Sequence, residues 1–308
     1  MNAAHSFTDL RAPATIAEYL ERLRAALAGA DPALIQDALY DAEDYLRSEM
    51  AANPGRSEAE VIADVAGSYG APSEVADIYR DTEVRVQTAL QPPKVVKRRT
   101  ALGRFFGVAA EPRTYAALFY MLLSLATGIF YFTWVVTGLS MTAGMSILII
   151  GIPLAILFFG SVRVLSLVEG RLVEVMLGER MPRRPRYVTK DAPLLDRIRT
   201  MFTDPRTWST MAYMLLMLPI GIIYFTVAVT LLALSAGFIA APVVAALAWF
   251  GWVPFNEVQV NGIDAWGLPF VFVAGVFLLF ATLHLARGVG RVHGQIAKHM
   301  LVESSTSA

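Results

Sequence analysis

Cysteine is absent from this 308-residue chain, which excludes disulfides, thiolate metal sites and a cysteine nucleophile. Charge is scarce: 17% of residues are charged, against about 25% in an average soluble domain. Histidine occurs only as His5, His284, His293 and His299, and none stands in HExxH or another metal-ligand spacing. There is no glycine-rich phosphate loop and no GxSxG elbow. The expectation is a non-enzymatic protein with no cofactor and no metal. The opening MNAAHSFTDLRAPAT has no apolar h-region, so no cleaved signal peptide is expected.

What the chain does have is long apolar runs. Hydrophobic residues make up 56% of it, and one run occurs twice. EPRTYAALFYMLLSLATGIFYFTWVVT (111–137) and DPRTWSTMAYMLLMLPIGIIYFTVAVT (204–230) are identical at 15 of 27 positions. Each has an acid, Pro-Arg-Thr, an aromatic, and then apolar residues for about the 20 positions a membrane-crossing helix needs. A repeat of this kind sets the architecture.

The net charge of zero conceals a split. Residues 1–90 carry 7 Lys/Arg and 16 Asp/Glu, a net of −9, and residues 91–308 carry a net of +9. An acidic head on a basic membrane body speaks against direct nucleic-acid binding, which rests on phosphate neutralisation. A protein partner fits better.

Caps and periodicity predict four helices in the head. The first follows Thr15. The second opens at Asp31-Pro32, an N-cap followed by proline at the first helical position. The third opens on the capping box Ser57-Glu58-Ala59-Glu60, and the fourth near Ala71-Pro72-Ser73. Asp37, Asp41 and Asp44 share one face of the second helix. That row reads either as a solvated face or as a docking surface for a basic partner helix or the protein's own basic collar.

The run YLERLRAAL (19–27), DALYDAEDYL (37–46) and GRSEAEVIADVAGSYGAPSEVADIYR (55–80) resembles the HAAS helical domain. Gly55, Ser57, Glu60, Val61, Ile62, Gly70, Pro72, Val75 and Ala76 carry the match; Val75 and Tyr69 depart from its usual Ile and Leu. The resemblance implies a membrane-tethered cytoplasmic domain that binds a protein partner such as a PadR-like transcription regulator.

The head (1–92) leads into a basic collar (93–110) that reads as a short helix lying on the lipid surface. Lys97, Arg98 and Arg99, with Arg113 and Arg206 of the two Pro-Arg-Thr motifs, are placed to anchor lipid phosphates. Four spans are expected at about 114–137, 145–167, 207–233 and 267–288, with GLSMTAG (138–144) turning the chain between the first two. Segments VEGRLVEVMLGE (168–179) and VHGQIAKHMLVE (292–303) align as amphipathic tails of the two halves. The second copy holds 31 extra residues, 236–266, read as a re-entrant or outer-leaflet segment followed by an aromatic flap. Arginine-rich flanks make both termini cytoplasmic, and the halves become parallel repeats. The fold class is thus all-α: a small helical bundle and a polytopic helical membrane domain (111–308). The duplicated segment, over about 111–302, also resembles the "putative sensor domain" family, which implies paired membrane helices associated with bacterial signalling modules.

Within the spans, Tyr120, Ser124, Thr127 and Tyr131 line one helix face, and Tyr213 and Tyr224 repeat the outer pair. Such a face points into the bundle, for packing or for a lipid or small amphipathic ligand. His284 stands within the last span, close to Arg287, as a further intramembrane candidate. Together with the two resemblances, these features lead to the expectation of a bacterial inner-membrane sensor or regulator, possible as a homo-oligomer. A transporter or lipid-handling protein and a structural scaffold are the alternatives.

Overall fold

The computed structural model describes residues 12–90, 100–145, 151–184, 203–252 and 266–302, and among these the ordered elements are all helices. The chain divides into two compact units. One holds Met1–Lys94, Arg180–Arg197 and Val302–Ala308; the other holds Val95–Glu179 and Ile198–Leu301.

The first unit contains α1 (Ile16–Ala26), α2 (Pro32–Ala52), α3 (Glu58–Ser68) and α4 (Pro72–Leu90). Each start has a side chain that takes up a free backbone N–H. Thr15 Oγ1 accepts from Glu18 N, Asp31 Oδ1 from Ala33 N, and Glu74 from Ala71 N. Ser57 and Glu60 form a reciprocal capping box. Each such cap is worth about 1 kcal/mol. The apolar stripes close on a core of Tyr19, Leu23, Leu27, Leu46 and Ile62, all fully buried. The Tyr19 hydroxyl donates to the Gly70 carbonyl at 2.7 Å. Gly70 has φ 115°, a conformation that favours glycine, so the α3–α4 turn and the α1 anchor depend on each other. Residues Arg180–Arg184, also in this unit, pack on α2.

In the second unit, α5 (Ala101–Gly107) passes through a 3-10 turn (Val108–Ala110) into α6 (Pro112–Met145); α7 (Gly151–Leu177), α8 (Pro205–Trp249) and α9 (Leu268–Leu301) follow. The last four are long and apolar enough to cross a membrane. At 1.5 Å per residue, α7 is about 40 Å long and α8 about 67 Å, against a hydrocarbon core of about 30 Å. Only 17–33% of their most apolar windows is buried within the protein. Leu157, Phe270, Val273 and Phe277 point outward, while Thr114, Ser124, Ser235 and Thr282 point inward. That is the distribution lipid requires, since a polar group facing hydrocarbon finds no partner there.

The α6–α8 crossing is unusually close. A Cβ on Gly128 would collide with the Met217 carbonyl oxygen, and one on Gly221 with the Ser124 carbonyl oxygen. Gly128 and Gly221 align in the duplicated sequence, as do Ser124 and Met217. The contact is therefore reciprocal, with each helix offering its glycine to the other's backbone.

Three helix boundaries differ from those expected. GLSMTAG (138–144) does not turn the chain: α6 runs on to Met145, and Gly138 makes room for the Phe158 ring of α7. The amphipathic tails beginning at 168 and 292 continue α7 and α9 as helix to Leu177 and Leu301. Residues 236–249, expected as a re-entrant or outer-leaflet segment, continue α8 as one helix, with Pro219 and Pro242 inside it. A proline removes one helical hydrogen bond, which an otherwise continuous apolar helix tolerates. Most of the expected aromatic flap, 253–265, lies outside the described residues.

Candidate functional site: a tyrosine, glutamate and histidine cluster

The α6–α8 crossing brings together six polar side chains from four helices. Glu169 of α7 and His293 of α9 are both fully buried, with no measurable exposure. Tyr120 donates to Glu169 Oε1 at 2.6 Å, Tyr213 to the same oxygen at 2.8 Å, and Tyr131 to Oε2 at 2.9 Å. Tyr120 and Tyr213 also lie 2.7 and 3.0 Å from His293 Nε2. Tyr224 is 3.5 Å from His293 Nδ1. Tyr120 and Tyr131 are three helical turns apart, about 16 Å of rise, so the carboxylate sits between them along α6.

Proton counting defines the roles. A tyrosine hydroxyl has one proton to give. Three hydroxyls directed at Glu169 match a carboxylate that only accepts. The oxygens of Tyr120 and Tyr213 are then free to accept, and His293 Nε2–H is the donor between them. Nδ1 is left facing Tyr224.

The cluster is reciprocal between the two halves. Tyr120 aligns with Tyr213, Tyr131 with Tyr224, and Glu169 with His293. Tyr120 of the first half reaches His293 of the second, and Tyr213 of the second reaches Glu169 of the first. The flanking ion pairs follow the same rule. Arg287 meets Glu111 at 3.0 Å, and its counterpart Arg163 lies 4.0 Å from Asp204, the counterpart of Glu111.

Of the intramembrane residues singled out from sequence, Tyr120, Tyr131, Tyr213 and Tyr224 meet here. Ser124 and Thr127 lie on the same face but turn their hydroxyls to their own helix, at Met121 O and at Leu123 O and Ser124 O. His284 is elsewhere: its Nε2 bonds the Phe105 carbonyl at 3.0 Å and its ring stacks on Phe105, holding α5.

The acidic row of α2 is largely engaged within the first unit. Asp37 is buried; it accepts from Arg183 N at 2.7 Å, Arg184 N at 2.8 Å and Arg180 Nη2 at 3.0 Å. Asp41 accepts from the Tyr79 hydroxyl and pairs with Arg184. Asp37 is therefore not part of a solvated face, because three donors from 180–184 cover it. Asp44 is exposed. Among the anchoring residues, Arg113 is exposed with its guanidinium over Gly178, and the Arg206 backbone caps on Asp204. Lys97, Arg98 and Arg99 lie outside the described residues.

Glu169 and His293 were not singled out from the sequence, which placed them just past the span ends. A signal was nevertheless present. Aligning 168–179 with 292–303 puts Glu169 and His293 at one position, each followed by glycine.

Four apolar helices with their polar side chains gathered inside define a polytopic α-helical membrane protein. The chain belongs to the family described as "Putative sensor", whose model matches residues 120–301. That span begins at Tyr120 and includes all six members of the cluster. No curated protein and no solved structure matches the chain.

Proposed function

We propose that the protein is a bacterial inner-membrane sensor, with cytoplasmic termini, whose acidic helical head binds a signalling partner such as a PadR-like transcription regulator. The observation that carries this reading is the reciprocal cluster. Its hydroxyls bind across the two halves, so any stimulus that alters it alters the bond between them. Glu169 lies on α7, which ends at Leu177, and Arg180, three residues on, holds Asp37 and Glu83 of the head. Two residues of chain separate the end of α7 from Arg180.

The test is affinity capture of the full-length protein from native membranes after brief cross-linking, comparing wild type with Glu169→Gln and with Asp37→Ala. A specific cytoplasmic protein whose recovery changes in both variants supports the reading. Recovery of no partner that depends on the head overturns it.

A proton-coupled transporter is the second reading, favoured by Glu169 itself, a carboxylate fully buried on a helix of spanning length. Substrate-driven proton flux in proteoliposomes, lost in Glu169→Gln, would replace the sensor reading with this one.

A further inference from the structure

Each polar atom of the cluster's two ionisable members already has a tyrosine hydroxyl beside it. Both oxygens of Glu169 accept hydroxyls, and both ring nitrogens of His293 have a tyrosine oxygen within 3.5 Å. The exchangeable ligand such a packed site accommodates is a proton.

Three hydroxyls donating to the Glu169 carboxylate and one Nε2–H donating from His293 leave the buried cluster with one uncompensated negative charge. An unpaired charge in a low-dielectric interior is costly. No lysine or arginine among the described residues bonds Glu169 or His293. On the same helices Arg163 lies by Asp204, Arg171 by Glu174, Arg287 by Glu111 and His284 by the Phe105 carbonyl. Arg291 and His299 are exposed, and Lys298 is five residues beyond His293; the Glu179 side chain packs at Gly294. From α6 and α8 the titratable groups that face the pair are the four tyrosines alone.

One added proton removes the net charge and reverses one hydrogen bond while keeping every contact. On His293 Nδ1 it makes the imidazolium, which donates to the Tyr224 oxygen. The Tyr224 hydroxyl proton, previously directed at Nδ1, rotates away. Tyr224 makes the longest contact of the cluster, 3.5 Å, and is only half-buried, whereas the tyrosines on Nε2 are fully buried. Nδ1 is the exchangeable side and Nε2 the fixed one.

We infer that the Glu169–His293 cluster is a one-proton binding site, loaded at His293 Nδ1 and held by the Glu169 carboxylate through Tyr120 and Tyr213. The inference stands independently of partner binding by the head, and either can fail alone.

The test uses the full-length protein in lipid nanodiscs, labelled with nitrogen-15 at histidine, with nuclear magnetic resonance between about pH 4 and pH 9, where carboxyl and imidazole groups exchange protons. His293→Gln identifies the His293 signals among the four histidines. The expected result is passage between a neutral ring protonated at Nε2 and a doubly protonated ring. In Glu169→Gln the ratio of loaded to empty ring at a given pH falls at least about tenfold, because the attracting charge is gone. Tyr224→Phe, which removes one hydroxyl and keeps the ring, lowers the same ratio several-fold and serves if Glu169→Gln does not fold. A neutral ring protonated at Nδ1, a ring that does not titrate, or titration unchanged in these variants overturns the proposal.

Discussion

Glu169 and His293 occupy the same position in the two halves of the membrane unit, and the hydroxyls of Tyr120 and Tyr213 each lie between them. Two tyrosine positions are duplicated without change, giving the four hydroxyls, and the asymmetry of the cluster resides in this one pair. The surrounding hydroxyls serve an acceptor on one side and a donor on the other.

Exchanging the pair is therefore expected to be better tolerated than changing one member. His293→Glu alone places two carboxylates around the same hydroxyls and should cost at least about 3 kcal/mol, as for a buried charge left without its partner. Glu169→His alone removes the acceptor for three hydroxyls. The double exchange Glu169→His/His293→Glu should recover most of the loss. Thermal unfolding of the detergent-purified protein, followed by the monodisperse fraction after heating, reads this directly. A double variant no better than the worse single one would show that the halves are not interchangeable here.

The glycine crossing makes a second prediction. Gly128→Ala or Gly221→Ala puts a methyl group on an opposing backbone carbonyl, which cannot rotate away. Each should cost about 1–3 kcal/mol, the range for overpacking. The two should be similar, because the contact is reciprocal. Gly160→Ala in α7 meets open space and should be neutral or slightly stabilising, since alanine favours helix over glycine by about 1 kcal/mol. The same heating assay ranks the three.

A third prediction separates the ion pairs from the cluster. Arg287 and Glu111 are partly exposed, at 36% and 20%, so solvent screening applies. A double-mutant cycle with Arg287→Gln and Glu111→Gln should give a coupling of no more than about 1 kcal/mol. Tyr131→Phe, by contrast, leaves Glu169 Oε2 without its hydroxyl and should cost about 1–3 kcal/mol.

Asp37 predicts a pH effect in the first unit. Burial raises its carboxyl above the usual carboxylate range, and the opposing pull of the Arg184 and Arg183 N–H groups and of Arg180 does not cancel it. The folded head thus holds this proton more tightly than the unfolded chain. Its contribution favours folding at acid pH and fades as pH rises from about 4, the unfolded value, through the raised folded value. Denaturant midpoints of the full-length protein over this interval should lose that component in Asp37→Asn. An unchanged pH profile in the variant would mean that Asp37 does not set it.

The helices of the head were readable in the sequence because their caps are local. Thr15, Asp31, Ser57 and Glu60 act within three residues of themselves, and each does so in the structure. The duplicated tyrosines were readable for the same reason, since helical spacing alone puts 120 and 131 on one face. Helix ends in the membrane unit were not. Gly138 reads as a breaker in isolation, whereas in the structure it lies inside α6 with the Phe158 ring packed against it. Charge misled in the same way. Glu169 and His293 sit among Arg163, Arg171, Arg287 and Arg291, so a linear scan assigns them to the span ends.

The sequence by itself determined the class of this protein: apolar runs of spanning length, a duplicated core, an acidic head and a basic body follow from composition and spacing. Only the tertiary structure decided where its chemistry lies. Two glycines allow α6 and α8 to approach at backbone distance, and that approach carries four tyrosines to one carboxylate and one imidazole. A hydrogen bond between residues 173 positions apart, such as Tyr120 with His293, depends on how helices cross, which no local pattern specifies.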